Sequence, residues 1–279
     1  MTDQSAVRDV PSAARFTEQE HQVWECLAVV TDPELDESVT ALGFVSSVSV
    51  KGQTVSVGFH LPTYWCAANF AYMMAHDMRR AVQTLPWVKA VHVELHEHMY
   101  SDTINRGIAC NSSFQDTFGD EASDEIDVVR ETFRKKAFQQ RQELLIRHLL
   151  ANDYSREFIV NLRMRELDLG SIADAEGQRL LNRYREIRME WGGTNGQDAY
   201  AFVKVDGQAL NLEIFDTYLS ELRSIRINTQ FNGEICRGLL DARYGKGAKP
   251  VSAVPVKFPA LEKTLARSTQ TLKQEAIKQ

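Results

Sequence analysis

Two β-branched runs held three residues apart constrain this chain more than any other feature. "FVSSVSV" (44–50) and "TVSVGFHL" (54–61) flank "KGQ". Both alternate in part between apolar and small polar residues, and Gly52 suits the turn, so they read as a β-hairpin. A helical pattern, Ala67 to Leu85, follows directly, with Phe70, Met74, Met78, Ala81, Val82 and Leu85 on one apolar face. Pro86 ends it by restricting the residue before it. "VKAVHVELHEH" (88–98) then reads as a third strand, with Val91, Val93 and Leu95 on one face and His92, Glu94, His96 and His98 on the other.

Upstream, Phe16 to Val30 is helical in pattern. Thr17 is placed as N-cap with Glu20 three residues on, as in a capping box. Val23, Cys26, Leu27 and Val30 share a face. "TDPELDES" interrupts, because Pro33 disfavours helix at Asp32. The order helix, strand, strand, helix, strand predicts an α+β domain over residues 17–107, a small three-stranded sheet with helices packed on one face.

The rest of the chain reads differently. Residues 1–16 are a polar arm, and 108–124, within "CNSSFQDTFGDEASDE", are an acidic linker. Residues 125–245 predict a mainly helical domain. Helical patterns run over Asp124–Ala151, Ser155–Leu167, Asp174–Trp191, Ile214–Ile225 and Asn232–Tyr244. On the first of these Ile126, Val129, Phe133 and Ala137 form the apolar stripe, and the polar middle "RKKAFQQRQ" is expected to be partly solvated. "AYAFVKVDGQAL" predicts a short hairpin around Asp206-Gly207. Residues 246–279 are a basic, proline-bearing tail.

With 279 residues, 43% hydrophobic and 25% charged, the composition is that of a soluble globular protein. A formal net charge of -6 argues against a dedicated nucleic-acid binder. No apolar run approaches a membrane span, and the first residues lack the apolar core of a signal peptide, so a cytoplasmic protein without membrane attachment is expected. Four widely spaced cysteines, Cys26, Cys66, Cys110 and Cys236, contain no C-x-x-C pair. A zinc ribbon or thioredoxin motif is thereby absent, and free thiols are expected in a reducing compartment.

Cys66 stands at the seam between the second strand and the following helix, in "HLPTYWCAAN". A thiol at a helix N-terminus sees the positive end of the helix dipole, which favours thiolate, the form that binds metal or attacks an electrophile. The plain alternative is a small buried residue closing the seam.

The segment "DPELDESVTALGFV", the hairpin, and "LPTYWCAANFAYMMAHDMRRAVQTLPWVKAVHVEL" together resemble the PaaD/SufT-like metal–sulfur cluster assembly domain. The matching residues are Asp32, Pro33 and Glu34, then Leu42 and Gly43, then Thr63 and Cys66, then Leu85 to Val88. The resemblance covers about a third of the chain. It implies a role in iron–sulfur cluster assembly or metalloprotein maturation, with Asp32, Glu34, Thr63 and Cys66 forming the functional loop. Two departures stand out. Ala67 replaces a proline usual after the family's cysteine, and "HEHMYSDTINRG" stands where the family's last strand commonly enters a W-E-P-P-W-like segment.

Beside this resemblance, Asp32 and Glu34 have a plainer reading as turn-capping carboxylates. Cys26 and Cys236 read as core residues, and Cys110 as exposed. One cysteine cannot hold a resident cluster, which usually takes four thiolates. That leaves transient capture of iron or a cluster, a site shared between subunits of a homodimer, or a site completed by a client. His60, close in sequence to Cys66, is the accessory ligand the sequence suggests, with His98 a further one. Residues on one face of a single strand are about 7 Å apart, so the strand histidines read more simply as a polar outer face.

No G-x-S-x-G, P-loop or H-E-x-x-H signature is present. The sequence therefore points to an accessory protein rather than an enzyme. It would handle metal or cluster through Cys66 and dock a client metalloenzyme or cluster-assembly protein through its helical domain. The resemblance suggests a non-haem iron monooxygenase system as the client. The alternatives are a scaffold that has lost metal chemistry, and an enzyme with Cys66 as nucleophile and His60 as base.

Overall fold

The computed structural model describes residues 17–119, 126–168, 174–191 and 196–245. The terminal arm and tail expected at 1–16 and 246–279, and most of the acidic stretch at 120–125, lie outside the described residues.

Helix α1 (Glu18–Ala28) opens with the expected capping box. The Thr17 side chain accepts from the Glu20 amide, and the Glu20 carboxylate accepts from the Thr17 amide at 2.9 Å. A loop then leads to β1 (Val45–Lys51) and β2 (Thr54–His60), which pair antiparallel about Gly52 at φ 62°. Helix α2 (Ala68–Gln83) crosses over to β3 (Ala90–His96), which lies parallel to β2, giving sheet order β1-β2-β3. A parallel pair needs such a crossover, and α2 supplies it. Val91, Val93 and Leu95 are buried, and His92, Glu94 and His96 sit half-buried on the other face. The α+β reading with a three-stranded sheet holds.

The chain then departs from the expected linker. Helix α3 (Ser101–Ala109) is followed by α4 (Phe114–Phe118). Ser113 caps α4, and Phe114 joins the first core with its ring 5.3 Å from Tyr72. Two phenylalanines in an otherwise polar stretch suffice to dock a short helix, because each aromatic ring buries a large apolar area.

The second region is mainly helical: α5 (Ile126–Ala151), α6 (Arg156–Asn161), α7 (Ala175–Arg188) and α8 (Leu212–Tyr244), with a 3₁₀ turn at Met164–Asp168. The helical stretch expected over Ser155–Leu167 breaks at Leu162, whose backbone is extended. The hairpin expected around Asp206-Gly207 forms only a turn. Gly207 has φ 86°, and single bridges join Val203 to Ala209 and Arg163 to Tyr200.

The middle of α5, expected to be partly solvated, divides. Residues 134–136 are exposed, but Gln140, Gln142 and Glu143 are buried. Gln142 donates to the Val203 carbonyl at 2.9 Å, and Glu143 forms an ion pair with Arg226 at 2.8 Å.

The two helices expected at 214–225 and 232–244 are one continuous helix, α8. The intervening "RINTQF" (226–231) does not break it. Gly233 lies where the helix packs on the loop before β1. A side chain there would stand 3.5 Å from the Glu37 carboxylate.

Helix α8 therefore joins two cores. Phe215, Tyr218 and Leu222 of its first half lie in the helical core with Phe138, Leu145 and Tyr184. Leu240 of its second half is buried in the sheet domain's core, with Cys236 and Tyr244 packed against it. Leu240 reaches Gly43, 3.4 Å from where a side chain on that glycine would begin. Burying one leucine contributes about 2 kcal/mol.

Candidate functional site

The loop between α1 and β1 is built by Asp32. Its Oδ1 accepts from the amides of Glu34 and Leu35, both at 2.9 Å, and its backbone joins those of Asp36 and Glu37. Pro33 has no amide to compete for this arrangement. Asp32 is only 7% exposed, and burial pushes its carboxyl up from 3.8 to about 6. The two amide hydrogen bonds pull the other way without overcoming the loss of water. This is the turn-capping role that the plain reading of Asp32 predicts.

The other loop carboxylates point to the helical region. Glu34 accepts from the Asn232 side chain at 3.1 Å, and Glu37 from Arg237 at 2.7 Å. Asp36, 5% exposed and with φ at 53°, is gripped by both Arg141 and Arg183. Arg141 meets it through two parallel bonds, 2.8 and 2.7 Å long. Arg183 reaches its carboxylate at 2.8 Å and also its carbonyl. Aspartate tolerates a left-handed backbone better than most residues, which lets the chain turn here. No local signal marked Asp36, because its partners lie on α5 and α7.

Cys66 lies in the short loop between β2 and α2. It precedes Ala67, the residue that caps α2 without any side-chain bond. Thr63 Oγ1 and Cys66 Sγ share a hydrogen bond at 3.1 Å. The structure thus brings Thr63 and Cys66 together, as their spacing in one short loop allows. His98 fixes the same loop from the far end of β3. The Tyr100 amide donates to its Nδ1 at 3.2 Å, so Nε2 carries the proton and donates to the Cys66 carbonyl at 2.8 Å. Both ring nitrogens of His98 are engaged, and burial lowers its pKa. Its place in the fold is to position the Cys66 backbone. Beside Cys66, Tyr64 and Trp65 are 51% and 73% exposed.

His60 lies under the end of α8. Tyr244 stacks on its ring, with centroids 3.9 Å apart and planes 8° from parallel. Burial lowers its pKa, and its Nε2 is buried without a hydrogen-bond partner. The Tyr244 hydroxyl donates to Glu97 at 3.1 Å, while Arg243 donates to the carbonyls of Leu61 and Glu97.

Cys236 is the residue sequence reasoning placed elsewhere. It lies on the α8 face that also carries Asn232, Gly233, Arg237, Leu240 and Arg243, spaced as one helical stripe. That stripe rests on the loop and on the exit of β2. The Cys236 thiol is pushed up to about 11, first by burial and then by Asp32, Cys66 and Glu34 around it. Cys26 is partly buried against the sheet core, as expected of a core thiol, and Cys110 is exposed. Among the described residues, no three histidine, cysteine or carboxylate side chains converge to enclose a metal ion. Thiolates suit iron, iron–sulfur clusters and other soft metals. The donor set at this seam fits such cargo only with ligands added from outside.

Residues 20–95 match the family model for iron–sulfur cluster assembly proteins. The match runs from α1 to β3 and includes the Asp32 loop, Thr63 and Cys66. Over these residues the chain is similar to iron–sulfur cluster assembly proteins, which supports a general role in cluster assembly. No curated protein matches the chain. Among the described residues, no helix is long and apolar enough to cross a membrane.

Proposed function

We propose that this chain is a maturation factor that transiently accepts iron or an iron–sulfur cluster at Cys66 and passes it to a client metalloenzyme. The observation that carries this is the Thr63–Cys66 pair, held at the strand–helix seam of an assembly domain beside two exposed aromatic rings. A donor or client can dock on Tyr64 and Trp65 and add the ligands the seam lacks. The helical region serves as the client-specific part, and a non-haem iron oxygenase system is the client class the family resemblance favours. The protein acts in the cytoplasm as an accessory rather than as an enzyme. Affinity purification of the full chain from its native host, with metal analysis of what co-purifies, tests this. An iron-bearing enzyme or a cluster-assembly protein is expected, and recovery of only metal-free partners would contradict it.

A second reading, a scaffold that has lost metal chemistry, draws support from the loop carboxylates. Glu34, Asp36 and Glu37 are already partnered within the chain. Anaerobic reconstitution with iron and sulfide separates the two. Cys66-dependent absorbance favours the maturation factor, and its absence favours the scaffold.

A further inference from the structure

We infer that Cys236 of α8 completes the cargo site, so that Cys66 and Cys236 together present two thiolates to one metal centre. This rests on the proposed function above and names a ligand that lies outside the assembly domain. The geometry is the seating of α8. One turn before Cys236, Asn232 bonds Glu34; one turn after it, Leu240 packs on Gly43. Two turns on, Arg243 bonds the Leu61 carbonyl and Tyr244 covers His60. A helix fixed at both flanks fixes the residue between them. Cys236 is thereby held between the loop before β1 and the exit of β2, packed against the same core as Cys66, and both thiols are partly buried.

The chemistry of a two-thiol edge suits transfer better than storage. A [2Fe–2S] cluster takes four thiolates, two on each iron. Two thiolates from this chain hold one iron and leave the other for a donor or client. A single tetrahedral ion is likewise held by two ligands, with two positions open. Each metal–sulfur bond forms as an S–H proton leaves to solvent, so binding two thiols releases up to two protons and changes no oxidation state.

Cadmium(II), a redox-inert thiophile, is the probe. Full-length protein, reduced and anaerobic, is titrated with cadmium and followed by its ultraviolet thiolate-to-metal charge-transfer band. Wild type should bind one ion tightly with the intensity of two thiolates. Cys66→Ser and Cys236→Ser should each lose about half that intensity and about tenfold or more in affinity, since even outer-shell changes at metal sites cost that much. Cys110→Ser should match wild type. A Cys236→Ser protein indistinguishable from wild type, with Cys66→Ser impaired, overturns this inference and leaves the proposed function standing. Indifference to both substitutions overturns both. Should Cys236→Ser fail to fold, alkylation of wild type read by mass spectrometry decides. Cadmium should protect Cys66 and Cys236 together while Cys110 still labels, and protection of Cys66 alone overturns the inference.

Discussion

Arg141 on α5 grips Asp36 in the loop before β1 through two parallel hydrogen bonds, 105 residues apart in sequence. The pair is nearly dry, with side-chain exposures of 12% and 5%. Arg183 shares the same carboxylate. The helical region is thus locked to the loop of the assembly domain by a charge network, in addition to the apolar seat of Leu240.

Asp36→Ala strands two guanidiniums, and Arg141→Ala leaves Asp36 with Arg183 alone. Asp36→Ala and Arg141→Ala should each lower unfolding free energy by about 3 kcal/mol in denaturant titration. The double variant should be less destabilised than the sum, by at least about 1 kcal/mol. Additive losses would mean that the two groups do not act as a pair.

Asp32 gives a pH dependence of definite sign. Its carboxyl titrates at about 6 when folded against 3.8 normally, so the folded chain binds that proton more tightly than the unfolded chain. The stability it contributes is full below about pH 4 and is lost as pH rises through 6. Asn at this position keeps an oxygen for the Glu34 and Leu35 amides and removes the buried charge. Asp32→Asn should therefore unfold about 1–3 kcal/mol harder than wild type at pH 8, with a flatter profile between pH 4 and 6. A less stable variant at pH 8 would show that the charge itself holds the loop.

Leu240 tests whether α8 belongs to both cores. Leu240→Ala should cost about 2–4 kcal/mol, as large-to-small core changes do. Amide exchange should rise in residues 232–244 more than in 212–225. A loss under about 0.5 kcal/mol would place Leu240 at the surface in solution.

Trp65 is largely exposed and should act in docking alone. Trp65→Ala should leave stability within about 0.5 kcal/mol of wild type. It should weaken capture of the co-purifying partner by about tenfold, a loss typical of an aromatic anchor. Unchanged capture would move the docking site elsewhere.

The sheet domain was legible because its signals are local. Alternation set the strands, the apolar stripe set α2, and Thr17 with Glu20 set the start of α1. What failed shares a different cause. The break expected at 226–231 does not occur, because α8 runs on by packing on two cores. Phe114 and Phe118 looked like part of a linker until Tyr72 and Tyr100 supplied their contacts. At the site, Thr63 and Cys66 were readable as neighbours in one loop. Asp36 and Cys236 were not, since Asp36 draws its partners from α5 and α7 and Cys236 reaches the seam from α8. His60 and His98 looked like accessory donors by residue type. In the fold, the side chain of His98 is spent on the Cys66 loop and that of His60 on packing under Tyr244.

The central claim is that Cys66 carries the cargo. Its most direct test is the metal content of the client enzyme, purified from a host in which Cys66→Ala replaces the wild-type protein. The variant should fold and melt like wild type within about 1 kcal/mol, because the residue is only partly buried. The client should then be recovered largely without iron, and wild-type protein supplied in trans should restore it. A fully metallated client from the Cys66→Ala host would contradict the account.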